Sequence, residues 1–345
     1  MPVIPNFVER LLFRLQPQIS SFLDLWGVGS FEAVLLASRL GVFEALRAGP
    51  KSASTIAKEI KADERGARSL LDYLVPLGYL KESNGSYSIT AISKPLTAGS
   101  SFNMADTFAL YAGLFEFMRE NQEQAVRAGK PRVIAFEWFS QHPPMWKLFH
   151  SFEMSIAKQI EKDIISKVRL PSTARRMLDV GGGHGLYSII LCRRHPELSA
   201  TIFDSPTPLE ETKQIIESER MGEQVNTRAG DFFVDDMGEG YDVALLFNII
   251  HLFTPEKNSQ LLKNVATALR SGGTIVIFDQ FLGGEFGKVL RLGHTFYNLL
   301  FLTTTGGQLY TFKEVSTMLS ESGFLHLTRK PVRAAGSTLI FATRV

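Results

Sequence analysis

The stretch Met177-Leu-Asp-Val-Gly-Gly-Gly-His-Gly-Leu-Tyr187 constrains this chain more than any other, because an apolar strand and an acid run into a glycine-rich turn that opens a helix. Glycines at 181, 182, 183 and 185 let the backbone turn tightly and approach a ligand with no Cβ in the way. Residues 186–191 continue as the helix of a nucleotide-binding βα unit. A dinucleotide site requires a glycine or alanine three places after Gly183, so that the pyrophosphate reaches the helix N-terminus; that place holds Leu186. Asp179, at the strand end, puts a carboxylate where a diphosphate is repelled and a cation is attracted.

Two further strands end in acids. Residues 200–204 form a short apolar strand closing on Asp204, where a carboxylate can take both hydroxyls of a ribose. Residues 226–229 lead to Gly230, Asp231, Phe232 and Phe233, an acid beside aromatics that suits an adenine amine and ring. Singly, each acid reads as a loop or cap residue. Three at consecutive strand ends read as a site for an adenosine carrying a cation, which S-adenosylmethionine is.

The motifs Leu178-Asp-Val-Gly-Gly-Gly-His-Gly185, Phe203-Asp-Ser-Pro206, Gly230-Asp-Phe-Phe233, Asn248-Ile-Ile-His-Leu-Phe253 and Thr305-Gly-Gly-Gln308 together resemble those of the class I S-adenosylmethionine-dependent O-methyltransferase family that acts on small molecules, of the plant caffeate and hydroxyneurosporene type. The catalytic likeness covers residues 171–345, and the whole chain fits the family. The resemblance implies an α/β, Rossmann-like methyltransferase domain behind an N-terminal α-helical winged-helix dimerisation domain. It implies S-adenosyl-L-methionine as cofactor, held by Asp179, Gly181, Gly183, Asp204, Ser205, Gly230, Asp231, Phe232 and Asn248. A homodimer and a small aromatic or polyketide-like acceptor from secondary metabolism are the expected partners.

Methyl transfer to a hydroxyl needs an aligned acceptor and a group that removes its proton. His251 directly follows the apolar run 243–250, at a strand end beside the glycine turn, and histidine titrates near neutrality. The resemblance makes it the general base, although the usual His-Asp-Trp is here His251-Leu252-Phe253. Asp279 ends the next strand, where relatives often carry a Glu that orients the histidine. A second family Glu corresponds to Leu309, so one acid is missing. Without a base, proximity alone serves N- or C-methylation, and a non-methylating reaction on the same cofactor stays open.

The chain is expected to divide into residues 1–100, 101–170 and 171–345. Over 31–89, three amphipathic helices and a hairpin at Asn84-Gly85 read as a winged helix. Its third helix mixes Asp63, Glu64, Arg65, Arg68 and Asp72, the wrong electrostatics for DNA. By resemblance, an N-terminal helix over 4–25 crosses to a second subunit. Residues 101–170 read as a helical connector rich in aromatics. Trp138, Phe152 and Met154, with Phe296, Tyr297 and Phe301 from the segment 290–302, are expected to line the acceptor pocket.

A net charge of +2 argues against nucleic acid or an anionic membrane as partner. Glu9 and Arg10 interrupt the first apolar stretch, no run spans a bilayer, and the one cysteine, Cys192, makes no internal disulfide. The expectation is a soluble, cytoplasmic protein. His150, His195, His294 and His326 lack ligand spacing, so no metal site is expected.

Overall fold

The computed structural model describes residues 13, 15, 18, 21–100, 102–283, 287–332 and 336–345. Most of the expected helix over 4–25 lies outside them. The chain forms two compact units, Met1–Ala112 and Gly113–Val345.

In the first unit, α1 (Phe22–Leu40) ends at Gly41, whose φ of 79° lets its N–H return to Ala37 and Ser38. The four-residue α2 (Val42–Ala45) and β1 (Lys51–Ser52) follow. Ser52 caps α3 (Ala53–Glu59) by accepting from the Thr55 N–H, and Asp63 caps α4 (Glu64–Leu74) by accepting from the Gly66 N–H. Helix α4 stops at Leu74, since Pro76 has no N–H to continue it. Asn84 and Gly85, both with positive φ, close the hairpin of β2 (Leu80–Ser83) and β3 (Ser86–Ile89), the backbone that a two-residue turn between right-twisted strands requires. The small antiparallel sheet runs β1-β3-β2. Phe43, Ile56, Leu71, Leu74 and Tyr87 fill the core beneath it.

Helix α5 (Met104–Ala128) begins in the first unit and ends in the second, where α6 (Ala135–Gln141) and α7 (Pro143–Lys167) follow. Alternation then sets in: β4 (Arg176–Val180), α8 (Leu186–Arg194), β5 (Ser199–Asp204), α9 (Pro206–Ser218), β6 (Val225–Ala229), β7 (Tyr241–Phe247), α10 (Pro255–Ala268) and β8 (Leu269–Asp279). After β9 (Phe281–Leu282), α11 (Lys288–Thr304), β10 (Tyr310–Thr311) and α12 (Phe312–Glu321), the chain closes with β11 (Phe324–Val332) and β12 (Ser337–Arg344). The seven-stranded order is β6-β5-β4-β7-β8-β12-β11, parallel through β8, with β12 antiparallel to both its neighbours.

All seven residues of β7 are buried, as befits a central strand covered on both faces. Met177, Val243 and Leu245 pack into one apolar layer, and Leu178, Ala244 and Leu246 into the other. The strand expected to reach residue 250 stops at Phe247, because Asn248 takes a left-handed φ of 58° and turns the chain into a short 3₁₀ segment, Ile250–Leu252. Strand β8 bridges an irregularity at Gly272, where φ is 76°. Sheet order reverses at β4, with β5 on one side and β7 on the other. In parallel sheets such a reversal is where ligands bind, outside the carboxyl ends of the strands. Among the described residues no helix is long and apolar enough to cross a membrane.

Candidate active site

The turn after β4 is packed too closely for side chains. An added Cβ at Gly181 would lie 2.3 Å from Ile249 Cδ1, at Gly182 2.6 Å from the Asp179 carboxyl carbon, and at Gly185 2.6 Å from Ile202 Cδ1. Gly183 differs: φ is 48°, and a Cβ there would meet nothing within 4 Å, so the backbone faces open space. The Gly183 N–H donates to Asp204 Oδ2 at 2.9 Å, tying the turn to the end of β5. Thr212, on α9, donates its hydroxyl to the Gly183 carbonyl from the other side.

Asp179 lies buried beneath this turn, accepting from the Ser188 hydroxyl at 2.6 Å. Burial pushes its carboxyl up to about 7, Ser188 opposes the shift, and the charge of Asp204 adds to it. Asp204 is itself raised by burial, against bonds from Gly183 and Ser205. Two carboxyls, both raised by burial and one of them further by the charge of the other, make a place that a cation relieves. Gly230 donates its N–H to the Asp204 carbonyl, and a Cβ there would strike the Phe203 ring at 2.4 Å. Asp231 stands exposed, accepting from the Phe233 N–H, while Phe232 packs edge-on against Phe233 and Phe253.

His251 and Asp279 come together across β7 and β8. Nδ1–H of His251 donates to Asp279 Oδ1 at 2.6 Å, and Asp279 is fully buried. The Gln280 N–H donates to the same carboxylate at 2.8 Å. With Nδ1 protonated, Nε2 of the neutral ring is left with a lone pair. Phe301 stacks on the imidazole at 4.0 Å between centroids, and Tyr297 stacks on Phe301 at 6.1 Å, so α11 walls one side. Phe296 continues this row to Phe115. The Gly306-Gly307 turn presses on the histidine from behind, where a Cβ on Gly307 would sit 2.0 Å from the His251 carbonyl oxygen. Leu309 is buried nearby.

The other expected pocket residues, Trp138, Phe152 and Met154, come from α6 and α7. Trp138 stacks on His142 at 4.0 Å and tilts against Phe117, in the aromatic cluster of α6. Met154 packs onto the apolar layer containing Tyr187 and Phe247. Phe152 is half-buried on α7. Between them stands Glu153, which the motifs did not mark. Its carboxyl is pushed up to about 7 by burial, with His251 and Asp279 both close enough to act on it electrostatically. The sequence carries a trace of it: Glu153 falls on the helical stripe of Phe149, Ala157, Ile160 and Ile164, an acid at a position the periodicity reserves for apolar residues. Also unforeseen is the pair His150–Glu211, 2.9 Å apart. Among the described residues no group of three or more His, Cys, Asp or Glu is placed to hold a metal.

The model of the O-methyltransferase domain matches residues 111–325, and that of the O-methyltransferase dimerisation domain matches residues 27–99. The 3-hydroxy-5-methyl-1-naphthoate 3-O-methyltransferase of Streptomyces sahachiroi is 28% identical over 310 residues, 86% of each chain. The L-tyrosine C(3)-methyltransferase of Streptomyces lavendulae is 25% identical over 93% of this chain and 91% of its own. The solved structure of mitomycin 7-O-methyltransferase superposes with a TM-score of 0.87 at 22% identity, covering 97% of this chain and all of the other.

Proposed function

The chain belongs to the O-methyltransferase family and is an S-adenosylmethionine-dependent transferase, and from that premise we propose that it methylates a hydroxyl of a small, planar aromatic or polyketide-like metabolite, with His251 as general base. The observation that carries this reading is the His251–Asp279 pair at the carboxyl ends of β7 and β8, two adjacent strands beside the glycine turn. When bound, S-adenosylmethionine supplies an electrophilic methyl group on a sulfonium.

The residues around the turn suit that group. Gly183 leaves room for a ligand to approach the backbone, Asp204 offers a carboxylate to a ribose diol, and Asp179 and Asp204, both raised by burial, favour a cation. Phe232 and Asp231, with Gly230 and Ser205, are assigned to the adenosine end, and Asn248 to the turn that carries His251. The acceptor lies against Phe301 and Tyr297, with its hydroxyl toward Nε2 of His251. As the methyl is transferred the proton moves to Nε2, and Asp279 stabilises the imidazolium that forms. A naphthoate hydroxyl is what the Streptomyces sahachiroi relative is named for, which supports an aromatic acceptor.

A second reading is C-methylation, favoured by the relative named as an L-tyrosine C(3)-methyltransferase. Deprotonating a phenol also raises the nucleophilicity of its ring carbons, so the same base serves both outcomes. Incubation with S-adenosylmethionine and a panel of hydroxylated arenes, followed by mass and NMR, tests both. A methyl ether supports the first reading and a ring methyl the second, while no methylated product defeats both.

The matched dimerisation domain also leads us to place a second copy of the chain against α1, where Phe22, Leu25, Trp26 and Val28 stand exposed on the first unit.

A further inference from the structure

His150 stands on α7 against the glycine turn, and no role above uses it. Its Nδ1 lies 2.9 Å from Glu211 Oε2 on α9, and Glu211 precedes Thr212, whose hydroxyl holds the Gly183 carbonyl. The same imidazole meets His184 edge to face, with 6.4 Å between ring centroids and 84° between planes. His184 directly follows Gly183, the residue whose backbone faces open space. The ring is thus fixed against both elements that frame the turn, α9 and the approach to α8.

The other nitrogen has no protein partner. Nε2 of His150 is buried and makes no hydrogen bond. His184 does not satisfy it: the His184 Nδ1 accepts from the Leu186 N–H, and no bond joins the two rings. A carboxylate only accepts, so the bond to Glu211 needs its proton on Nδ1, and Nε2 of the neutral ring then holds a lone pair. Burial, the main influence on His150, lowers its pKa and keeps a second proton off, against the pull of Glu211. A desolvated acceptor without a donor is costly, and a ligand donor offsets that cost.

We propose that His150 is a cofactor-binding residue, its Nε2 accepting a hydrogen bond from the ammonium at the amino-acid end of S-adenosylmethionine, with Glu211 as the positioning residue that fixes the tautomer. The proposal rests on the cofactor lying against the glycine turn, as given under the proposed function, and adds a directed contact for the end that carries the cationic donor. Asp204 is assigned to the ribose and Phe232 to the adenine, whereas the amino-acid end has so far only the charge of nearby acids. A neutral acceptor suits that place. A third anion beside Asp179 and Asp204 would raise their pKa values further, and an imidazole lone pair adds no charge.

The test is calorimetry with three ligands: S-adenosylhomocysteine, its decarboxylated analogue, which keeps the amine, and 5′-methylthioadenosine, which lacks the whole amino-acid end. His150→Phe should weaken the first two roughly 10- to 100-fold, the range for a hydrogen bond to a charged group, and leave the third within a few-fold of wild type. Glu211→Leu should weaken the same two by a smaller factor, since the ring stays but both tautomers become open to it. Circular dichroism certifies the fold of each variant, and Glu211→Leu decides the matter if His150→Phe does not fold. Unchanged affinities, or equal losses for all three ligands, would overturn the assignment, the second by showing that His150 only supports the turn. A loss confined to S-adenosylhomocysteine would overturn it too, giving His150 the carboxylate instead. A wild type that binds 5′-methylthioadenosine as tightly as S-adenosylhomocysteine sinks the proposal and spares the cofactor site; one that binds neither defeats both.

Discussion

Nδ1 of His251 and Oδ1 of Asp279 are 2.6 Å apart across the ends of two neighbouring parallel strands, and the carboxylate is held in place by the Gln280 N–H. The sheet register therefore fixes the imidazole before any acceptor arrives. A base positioned this way is worth roughly 10²–10⁴-fold in rate. His251→Ala should lower turnover by that factor while S-adenosylhomocysteine affinity, read by calorimetry, stays within a few-fold of wild type. Asp279→Asn should lower turnover too, since a carboxamide does not stabilise the imidazolium. Wild-type turnover in His251→Ala would move the chemistry to an acceptor that needs no base.

Gly307 supports the same histidine by steric means. A Cβ there would lie 2.0 Å from the His251 carbonyl oxygen and 2.5 Å from the Leu252 carbonyl carbon, both backbone atoms that cannot swing away. Gly307→Ala should cost at least about 1–3 kcal/mol of stability and displace the 3₁₀ turn carrying the base. Urea denaturation and turnover should fall together; an alanine variant with wild-type values for both would show that the turn moves freely.

How much of this was legible beforehand follows from what each feature is made of. The glycine turn, the three acids and the strand–helix alternation are local patterns, and each falls where it was expected. Strand order together with the family resemblance puts His251 and Asp279 on adjacent strand ends. Glu153 is not placeable from the sequence, because which face of a helix meets the site depends on packing between elements distant in sequence. Asn248 hid the end of β7: an apolar run does not say where one residue goes left-handed. The missing acid at Leu309 is visible in the motif, whereas the surroundings of the Glu153 carboxyl follow only from the packing of α7, which meets α8 and β11.

Asp204 joins two motifs by taking the Gly183 N–H on one oxygen and the Ser205 N–H on the other. Its proposed role toward a ribose uses remaining lone pairs. Asp204→Ala should weaken S-adenosylhomocysteine roughly 10- to 100-fold, the range for a lost hydrogen bond to a charged group. Calorimetry decides this, and unchanged affinity would remove Asp204 from the cofactor site.

Leu25 and Trp26 are more than half exposed on α1, at 66% and 55%, an arrangement that leaves large apolar groups in water unless another surface covers them. If that surface is a second copy, Leu25→Glu with Trp26→Glu buries charge in the interface and should shift light-scattering mass from twice 38.4 kDa to the single-chain value. A double variant that keeps the dimer mass would place the interface elsewhere.

Asp179 gives the last prediction, on stability. Its folded pKa, about 7, lies above the ordinary 3.8, so between those values the folded state holds a proton that the unfolded chain has lost. Its contribution is thus complete below about pH 4 and is lost as pH rises to 7, with a slope of at most about 1.4 kcal/mol per pH unit. His184 works the other way: burial holds it at about 3, so its contribution is complete above 6.5 and is lost as pH falls. Comparing wild type with Asp179→Asn cancels the histidine and isolates the acid. The stability difference from urea midpoints should favour wild type most near pH 4, decline toward pH 7 and level off beyond. A difference that stays flat from pH 4 to 7 would mean that Asp179 is ionised throughout, held by a positive neighbour rather than kept neutral by burial beneath the glycine turn.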